Sequence, residues 1–374
     1  MDNLVDDLYS AIDRGRLGKN IGIKTGIPKL DSYTGGIQKK TYYLLFGLSG
    51  AGKSCLALYS YIYRPLKDDP DGNYLIVYFS LEMSSKKLLA KLLSLYLYET
   101  YQIIISYKDL MSFDTILSDD LYQYVMKGRQ WLEHATKKLI IYDKSLNRNI
   151  FYHKMMEILE ENGKFVESED GRRTIYKAKD PNKLILGVVD HLNLAFPMQG
   201  SSKKDEIDAI SAYAVSLKER CDVSFLFLQQ ENRNSANMDR RKADLTESSS
   251  EDLKDTGNTF NDAEVCIGVY YPLKHKLKTC HGYPIIINDP NNPFEGLRDR
   301  YRGLCLIKNR DGESEKYIST SFFGEIGMFK ELPKPDTISD YIPYTYLPSI
   351  NKAKMKKDEV PKLEEPKKEL IYNF

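Results

Sequence analysis

The sequence predicts an α/β fold in which helices cover both faces of a mainly parallel sheet and a β-hairpin follows near the C-terminus. Three observations support this prediction. Near-continuous apolar runs, typical of strands buried on both faces, recur along the chain. Helical patterns such as residues 84–98 alternate with these runs. The stretch LLFGLSGAGKS, residues 44–54, reads as a strand that breaks into a glycine-rich turn and then a helix.

The strands and helices are predicted in chain order. Residues 3–14 predict a short amphipathic helix that docks on its own core or on an adjacent subunit, because one such helix cannot cover its own apolar stripe. A helix over 55–63 should end at Arg64–Pro65, since proline interrupts helical hydrogen bonding. Residues 302–313 and 316–324 predict a hairpin with its turn at Asp311–Gly312. The remaining strands are expected at residues 41–46, 74–80, 138–143, 183–190, 223–230 and 264–271.

The chain divides into three predicted parts. Residues 1–20 form a linker with the docking helix, residues 21–332 form one core domain, and residues 333–374 form a tail. The tail is expected to be partly disordered, because residues 351–369 mix lysines, acids and prolines. Two polar stretches, 161–182 and 273–302, interrupt the core domain. We expect both to be surface insertions that bury no core face.

Composition narrows the class of protein. The formal net charge of +1 excludes a globally basic surface, so a nucleic acid would need a local basic patch. No apolar run approaches the ~20 residues of a membrane span, which argues against a membrane protein. Five scattered cysteines favour a reducing compartment, the bacterial cytoplasm or, for a viral protein, that of its host. Cys280 and His281, with His275 nearby, lack a fourth zinc ligand and are expected to form a polar loop.

The glycine-rich turn matches a phosphate-binding loop. Gly47, Gly52, Lys53 and Ser54 fit the pattern G-x-x-x-x-G-K-[ST], in which backbone N–H groups surround the phosphates, the lysine reaches the β- and γ-phosphates, and the hydroxyl binds Mg²⁺. Kinases, transporters, switches, recombinases and helicases share this loop, so it predicts a nucleotide and no single activity. The predicted nucleotide-binding residues are Gly47, Leu48, Ser49, Gly50, Ala51, Gly52, Lys53, Ser54 and Cys55.

Acidic residues at strand ends are the candidates for the chemistry. Asp190 ends a buried apolar strand, where it could hold Mg²⁺ together with Ser54 or simply cap a turn. The next residue, His191, is not an acid, so a water-activating carboxylate must lie elsewhere. Glu82 and Asp143 each follow a predicted strand, and ligands of open α/β sheets bind at such ends. Spacing alone does not decide between them.

Six blocks of sequence, in order over residues 21–330, resemble a known family. They are TGIPKLDSYTGGIQKKTYYLLFGLSGAGKS, VYFSLEMS, LILGVVDHLNL, FLQQENR, DLKDTGNTFNDAEV and LIKNRDG. In these blocks the chain is similar to the ATPase domain of the DnaB-family replicative helicases, which are RecA-like hexameric motors. The resemblance implies a RecA-like P-loop ATPase core that uses ATP and Mg²⁺. It also implies translocation on single-stranded DNA and unwinding of duplex during replication by a hexameric ring.

The resemblance also implies roles for individual residues. Glu82 corresponds to the glutamate that polarises the attacking water, and Gln230 to a glutamine that senses the γ-phosphate. Lys308 and Arg310 correspond to residues that act on a neighbouring subunit's nucleotide, with Arg310 as an arginine finger. A solvated hairpin face is the alternative for this pair. The predicted DNA contacts are Arg233, Arg240 and Arg241, in a loop for which a merely solvated role is the alternative, and Lys254, Asp255 and Gly257.

The chain departs from the family in three respects. Only about twenty residues precede the core, so the N-terminal domain that contacts primase or loader is expected to be missing, and either partner is an open expectation. Position 231 is Glu where an apolar residue is usual, and the two insertions have no obvious counterpart. Two other functions therefore compete with a helicase motor: a recombinase-like filament on single strands, and a regulatory RecA-like scaffold ATPase that needs no DNA.

Overall fold

A nine-stranded sheet forms the centre of the computed structural model, which describes residues 4–18, 20–168, 174–231, 247–292 and 294–350. The strands, in chain order, are β1 (Tyr42–Gly47), β2 (Tyr74–Ser80), β3 (Leu139–Tyr142), β4 (Gly163–Glu167), β5 (Thr174–Ala178), β6 (Leu184–Asp190), β7 (Ser224–Gln230), β8 (Val265–Tyr270), β9 (Thr279–Cys280), β10 (Tyr283–Pro284), β11 (Tyr301–Asn309), β12 (Lys316–Phe323) and β13 (Met328–Glu331).

The sheet order confirms the predicted fold class. The strands run β13-β12-β11-β8-β1-β7-β6-β2-β3 across the sheet. The six from β8 to β3 pair in parallel, whereas β11, β12 and β13 are antiparallel. The β11–β12 hairpin is the predicted one, with Asp311–Gly312 between its strands. The sheet is therefore mainly parallel, with the predicted hairpin near the C-terminus.

Helices cover both faces of this sheet. The α-helices are α1 (Leu4–Arg16), α2 (Pro28–Thr34), α3 (Lys53–Leu56), α4 (Arg64–Asp68), α5 (Ser85–Tyr101), α6 (Tyr107–Leu110), α7 (Asp119–Lys127), α8 (Arg129–Ala135), α9 (Arg148–Asn162), α10 (Lys203–Cys221), α11 (Gly257–Asp262) and α12 (Ile342–Thr345). A π-helix spans Ala57–Tyr63, and 3₁₀ turns span Thr136–Lys138, Leu192–Leu194, Ser250–Thr256, Pro272–His275, Arg298–Arg300 and Pro335–Thr337.

Two hydrophobic layers, one on each face, explain the continuous apolar runs. In β1, Tyr43 and Leu45 pack into the layer that contains the π-helix and α5. Tyr42, Leu44 and Phe46 alternate with them and pack into the layer that contains α9 and α10. Because side chains of a strand point alternately to opposite faces, a strand covered on both sides has no polar positions left.

The helix after the phosphate loop does not end where the sequence suggests. Helical structure continues through Arg64–Pro65 to Asp68, so the predicted stop is wrong. Pro65 lies in the first turn of α4, directly after the π-helix, whose wider turn accommodates a residue without an N–H. Arg64 further holds this end of the helix through an ion pair of 2.7 Å with Glu99.

The two insertions bury more than expected. In the first, β4 and β5 form a hairpin in which Phe165 and Tyr176 pack on the core layer of α9 and α10. The second, residues 273–302, builds a small core of its own around Cys280, Tyr283 and Ile285. The expectation that neither stretch buries a core face is therefore wrong. Their apolar residues lie on short strands and turns, too irregular to give a periodic pattern.

The ends of the described chain differ in how they pack. α1 is formed, but Leu8 and Tyr9 are 58% and 61% exposed, and Ile12 is 47% exposed. Residues 333–350, part of the predicted tail, pack back on the domain: Leu347 is buried, and the N–H of Ile350 donates to the Gln102 carbonyl. Within the described residues, no helix is both long and apolar enough to cross a membrane.

Candidate active site

The phosphate loop, Glu82, Asp190 and Gln230 gather at the carboxyl ends of four adjacent parallel strands. The sheet register sets Gly47 of β1 beside Gln230 of β7, and Ser80 of β2 beside Asp190 of β6. Glu82 follows two residues after Ser80. Ligands of open α/β sheets bind outside this edge, so parallel strand pairing alone brings these side chains to one place.

Lys53 occupies the space inside the phosphate loop. Its ammonium donates to the carbonyls of Gly47, at 2.8 Å, and Leu48, at 3.1 Å. Burial lowers the pKa of Lys53 to about 8, against the opposing effect of nearby carboxylates, of which Glu231 has the largest influence. The buried carboxylate of Glu231 favours the charged form of the lysine.

The backbone of the predicted phosphate loop explains the glycines at three of its positions. Gly50 and Gly52 have φ of 72° and 105°, values that other residues rarely adopt. A Cβ on Gly47 would lie 2.6 Å from the Val269 carbonyl, which explains glycine there. Cys55 lies half-buried in α3, with its sulfur 3.8 Å from the ammonium of Lys91.

Asp190 and Ser54 present oxygen atoms suited to a hard cation. The Ser54 hydroxyl donates to Oδ1 of Asp190 at 2.9 Å, while the Tyr78 hydroxyl donates to Oδ2 at 2.7 Å and fixes the carboxyl. Burial raises the pKa of Asp190 to about 6, although both hydrogen bonds oppose the shift. A carboxylate and a hydroxyl beside a phosphate loop are the protein ligands that Mg²⁺ takes in nucleotide sites, so the residues fit this ion.

Glu82 and Asp143 have different surroundings, which distinguishes the two candidates. The Glu82 carboxylate is exposed and lies 3.5 Å from the Ser54 hydroxyl. Asp143 instead accepts hydrogen bonds from the backbone N–H and the hydroxyl of Ser85, at 2.8 and 2.6 Å, and these bonds lower its pKa. Asp143 therefore holds the first turn of α5, and the geometry favours Glu82 as the base.

Gln230 ends the strand next to the phosphate loop. Its backbone N–H donates to the side-chain oxygen of Asn193 at 2.9 Å, which ties β7 to the segment after Asp190. Gln229 points to the opposite face, where it accepts from Thr259 at 2.8 Å. Alternation therefore places Gln230, and not Gln229, on the face of the site.

Lys308 and Arg310 lie at the opposite end of the sheet, where the parallel strands begin. The Lys308 ammonium donates to the carbonyls of Phe260 and Asn261 at the end of α11, and Arg310 forms an ion pair of 3.2 Å with Glu264. Backbone hydrogen bonds link Arg310 to Glu264, and Glu264 to Tyr42 at the start of β1. The loop begins five residues later, roughly 17 Å away at the usual rise of a strand. Neither cation lies beside its own chain's phosphate loop.

The predicted DNA contacts fall largely outside what is described. Arg233, Arg240 and Arg241 lie outside the described residues. Lys254 and Asp255 belong to the 3₁₀ turn Ser250–Thr256, and Gly257 begins α11, but only the backbone is described at these positions. Their role in DNA binding stays a prediction.

Three side chains near the site were not identified from the sequence. Tyr78 orients Asp190, as described above. Arg302, which is 2% exposed, donates from Nε to the Ala51 carbonyl of the phosphate loop at 2.8 Å. Lys274 donates to the Ser49 carbonyl of the same loop. In the sequence, Arg302 could have been noticed only as a lone arginine in the apolar stretch RGLCLI.

The Cys280–His281 pair gains a neighbour in the structure. Glu247, Cys280 and His281 each offer a ligand atom, all within 4.8 Å of one another, and His275 is not among them. His281 contacts Glu247 at 2.5 Å and stacks on Tyr317 at 3.7 Å. Among the described residues, these three candidate ligands are one fewer than a structural zinc site uses.

The raised pKa of Asp190 predicts a pH dependence of metal-free nucleotide binding. Above about pH 6 the carboxyl is ionised and, without Mg²⁺, repels the phosphates of ADP. Wild-type protein and Asp190→Asn should bind ADP equally near pH 5 in chelator, whereas wild-type should bind about tenfold more weakly above pH 7. Titrations with fluorescent ADP from pH 5 to 8 measure the ratio of the wild-type Kd to the Asp190→Asn Kd. The ionisation of free ADP affects both constants equally and cancels in this ratio. A ratio that does not change with pH would contradict the assignment.

Known proteins resemble this chain over most of its length. The family model described as the DnaB-like helicase C terminal domain matches residues 22–331. The replicative DNA helicase DnaB of Helicobacter pylori strain ATCC 700392 / 26695 is 28% identical over 285 residues, which are 74% of this chain and 50% of that protein. The protein of the same name from strain J99 / ATCC 700824 is 28% identical over 262 residues, 70% of this chain and 46% of that protein. The chain thus spans about half the length of these curated relatives.

Solved structures show the same fold. One solved structure, described as an ATPase domain, superposes with a TM-score of 0.65 at 18% identity, covering 89% of this chain and 100% of that one. A DnaB-like replicative helicase, solved to show its interactions with primase, superposes with a TM-score of 0.64 at 18% identity, covering 89% and 67%. The resemblance inferred from the six sequence blocks is confirmed, and the chain belongs to the DnaB-like helicase C-terminal domain family.

Proposed function

We propose that this chain is an ATP-driven DNA helicase motor, which hydrolyses ATP to translocate on single-stranded DNA and unwind duplex during replication. One observation carries the proposal. In a member of the DnaB-like family, a phosphate loop with Lys53, a Ser54–Asp190 pair and an exposed Glu82 meet at one edge of the sheet.

Nucleotide binding uses groups that are already in place. The loop amides surround the phosphates, and Lys53 exchanges its two carbonyl contacts for β- and γ-phosphate oxygens. Ser54 and Asp190 would hold Mg²⁺, which neutralises phosphate charge when bound. Tyr78 keeps the Asp190 carboxyl in one orientation throughout.

Hydrolysis and movement are assigned to two further residues. Glu82 accepts the proton of the attacking water, a role that its exposed carboxylate beside Ser54 permits. Gln230 detects the γ-phosphate at the end of β7, and the chain continues directly from it into the predicted DNA loop. The state of the nucleotide can therefore alter the position of the groups that hold the strand.

Assembly and partners form a second part of the proposal. Lys308 and Arg310 lie too far from their own loop to act on its nucleotide, so we propose that they serve a neighbouring copy in a head-to-tail hexameric ring. Because one structural relative was solved to show interactions with primase, we propose primase as a partner. A loader, and a cytoplasmic place of action in a bacterium or a virus-infected cell, stay predictions from the sequence.

α1 is proposed to join adjacent copies of the ring. Its exposed Leu8 and Ile12 would be covered by the neighbouring subunit. The double variant Leu8→Asp, Ile12→Asp should therefore lower the assembly state measured by sedimentation velocity, because it places two charges in an apolar contact. Ser10→Asp, on an exposed position of the same helix, is the control and should assemble normally. A double variant that still sediments as a full ring would exclude this role.

Binding of single-stranded DNA is expected to weaken steeply with salt, because the predicted contacts are cations on phosphates. Neutralising Arg240 and Arg241 together should lower affinity and reduce the slope of log K against log salt by about 1.4, at roughly 0.7 per lost contact. The control is the double variant Lys164→Ala, Lys177→Ala, which removes two lysines that lie opposite each other in the β4–β5 hairpin. An unchanged slope for the arginine variant would place the DNA elsewhere.

Strand displacement tests the proposed function directly. A forked duplex with a single-stranded tail should be unwound with ATP and Mg²⁺, and Lys53→Ala should abolish the activity. DNA coating without displacement would instead support a recombinase-like filament. ATP hydrolysis that does not respond to DNA would support a scaffold ATPase.

A further inference from the structure

The second insertion begins directly against the phosphate loop. The chain leaves β8 into the 3₁₀ turn Pro272–His275, and Lys274 in this turn donates a hydrogen bond to the Ser49 carbonyl. Its ammonium also lies 3.4 Å from the position that a Cβ on Gly50 would occupy. Lys274 therefore lies over the middle of the loop, beside Ser49 and Gly50.

Packing on both sides fixes the turn that carries Lys274. The guanidinium of Arg302 stacks on the ring of Tyr271 at 3.6 Å, and its Nε donates to the Ala51 carbonyl at 2.8 Å. On the other side, the buried His275 stacks on Tyr270 at 5.5 Å. The turn and the loop are thereby held together, so the position of Lys274 relative to the loop is built into the fold.

The charges around Lys274 are unbalanced. Lys274 is exposed, and among the described residues no carboxylate lies within ion-pair distance of it. Its positive charge also repels that of Lys53 inside the loop. Lys53 donates to the carbonyls of Gly47 and Leu48, and Lys274 donates to that of the next loop residue, Ser49. An anion between these two ammonium groups would turn their repulsion into attraction.

We propose that Lys274 is a second phosphate-binding cation, which contacts the terminal phosphate of a nucleoside triphosphate bound at the loop of its own chain. The inference rests on the proposed use of ATP at this site. The lysine of such loops reaches the β- and γ-phosphates. Lys274 contacts the loop residue that directly follows the two contacted by Lys53, so it lies near the same end of the nucleotide. Arg310 acts from a neighbouring subunit, whereas Lys274 acts within one chain.

Nucleotide selectivity follows from this position. ADP has no γ-phosphate to engage Lys274, so losing the lysine should affect the triphosphate far more than the diphosphate. A hydrogen bond to a charged group corresponds to about a ten- to hundredfold change in affinity. A residue that merely held the loop in shape would change both affinities alike.

The test compares three variants by titration calorimetry with Mg²⁺, using ADP and a non-hydrolysable ATP analogue. Lys274→Ala should weaken the analogue about ten- to hundredfold and ADP less than about threefold. Lys274→Arg, which keeps the charge, should retain most of the selectivity. Lys278→Ala removes another exposed lysine of the same insertion and should change neither affinity.

The outcomes separate this inference from the proposed function. Equal losses for both nucleotides, or no loss, would overturn the role of Lys274. Wild-type protein that binds the analogue selectively but unwinds no duplex would refute the helicase while Lys274 keeps its role. Wild-type protein that binds neither nucleotide would refute both.

Discussion

Replacing Glu82 with glutamine should nearly stop ATP hydrolysis while ATP still binds. The amide keeps the size and position of the side chain beside Ser54 but cannot accept a proton from water. General-base catalysis contributes roughly 10²- to 10⁴-fold, so single-turnover hydrolysis should slow by about that factor. Affinity for a non-hydrolysable analogue should remain within about threefold of wild-type.

Asp143→Asn is the matched control for this substitution. Asp143 also follows a strand, but it is bound to Ser85 at the start of α5. Its amide variant should therefore lower thermal stability and leave most of the turnover intact. A larger loss of turnover for Asp143→Asn than for Glu82→Gln would show that the base has been assigned to the wrong carboxylate.

Arg310→Ala subunits should poison wild-type subunits when the two are mixed. In the proposed ring each site would take its arginine from a neighbour, and an arginine finger contributes about 10³ to 10⁵ in rate. The variant should still fold, because Glu264 keeps its ion pair of 2.6 Å with Lys218 and is not left as an unpaired buried charge. ATPase activity measured against the mutant fraction should fall more steeply than a straight line.

Lys316→Ala provides the comparison for the mixing experiment. Lys316 lies on the adjacent strand β12 and pairs with Glu313 at the exposed end of the same hairpin. Mixtures with this variant should retain full activity. If activity with Arg310→Ala fell only in proportion to the mutant fraction, the site would be complete within one chain.

The sequence was most informative where one local pattern carries both structure and chemistry. The stretch from Tyr42 to Ser54 predicts a strand, a turn and a helix, and its glycines and lysine predict the phosphate site. Parallel strands then bring their carboxyl ends to one edge, which is why Glu82 and Asp190 could be placed near Ser54 without a structure. Spacing alone could not separate Glu82 from Asp143; the family resemblance favoured Glu82, and the structure adds that Asp143 is bound to Ser85.

Contacts between residues far apart in the sequence could not be predicted from local sequence patterns. Arg302 reaches Ala51 across 251 positions of sequence, and Lys274 reaches Ser49 across 225. Nothing near either cation in sequence shows that it contacts the loop. The helix stop at Arg64–Pro65 failed for a related reason, because a π-helix upstream and the ion pair with Glu99 override a local rule about proline.

The most direct test is an electron cryo-microscopy structure of the chain with Mg²⁺, a non-hydrolysable ATP analogue and single-stranded DNA. We expect a closed ring of six copies with the strand in its central channel. At each interface, Arg310 of one copy should contact the γ-phosphate bound between Lys53 and Glu82 of the next. Monomers or an open filament, or a ring in which Arg310 faces solvent, would contradict a ring motor that shares its active sites between subunits.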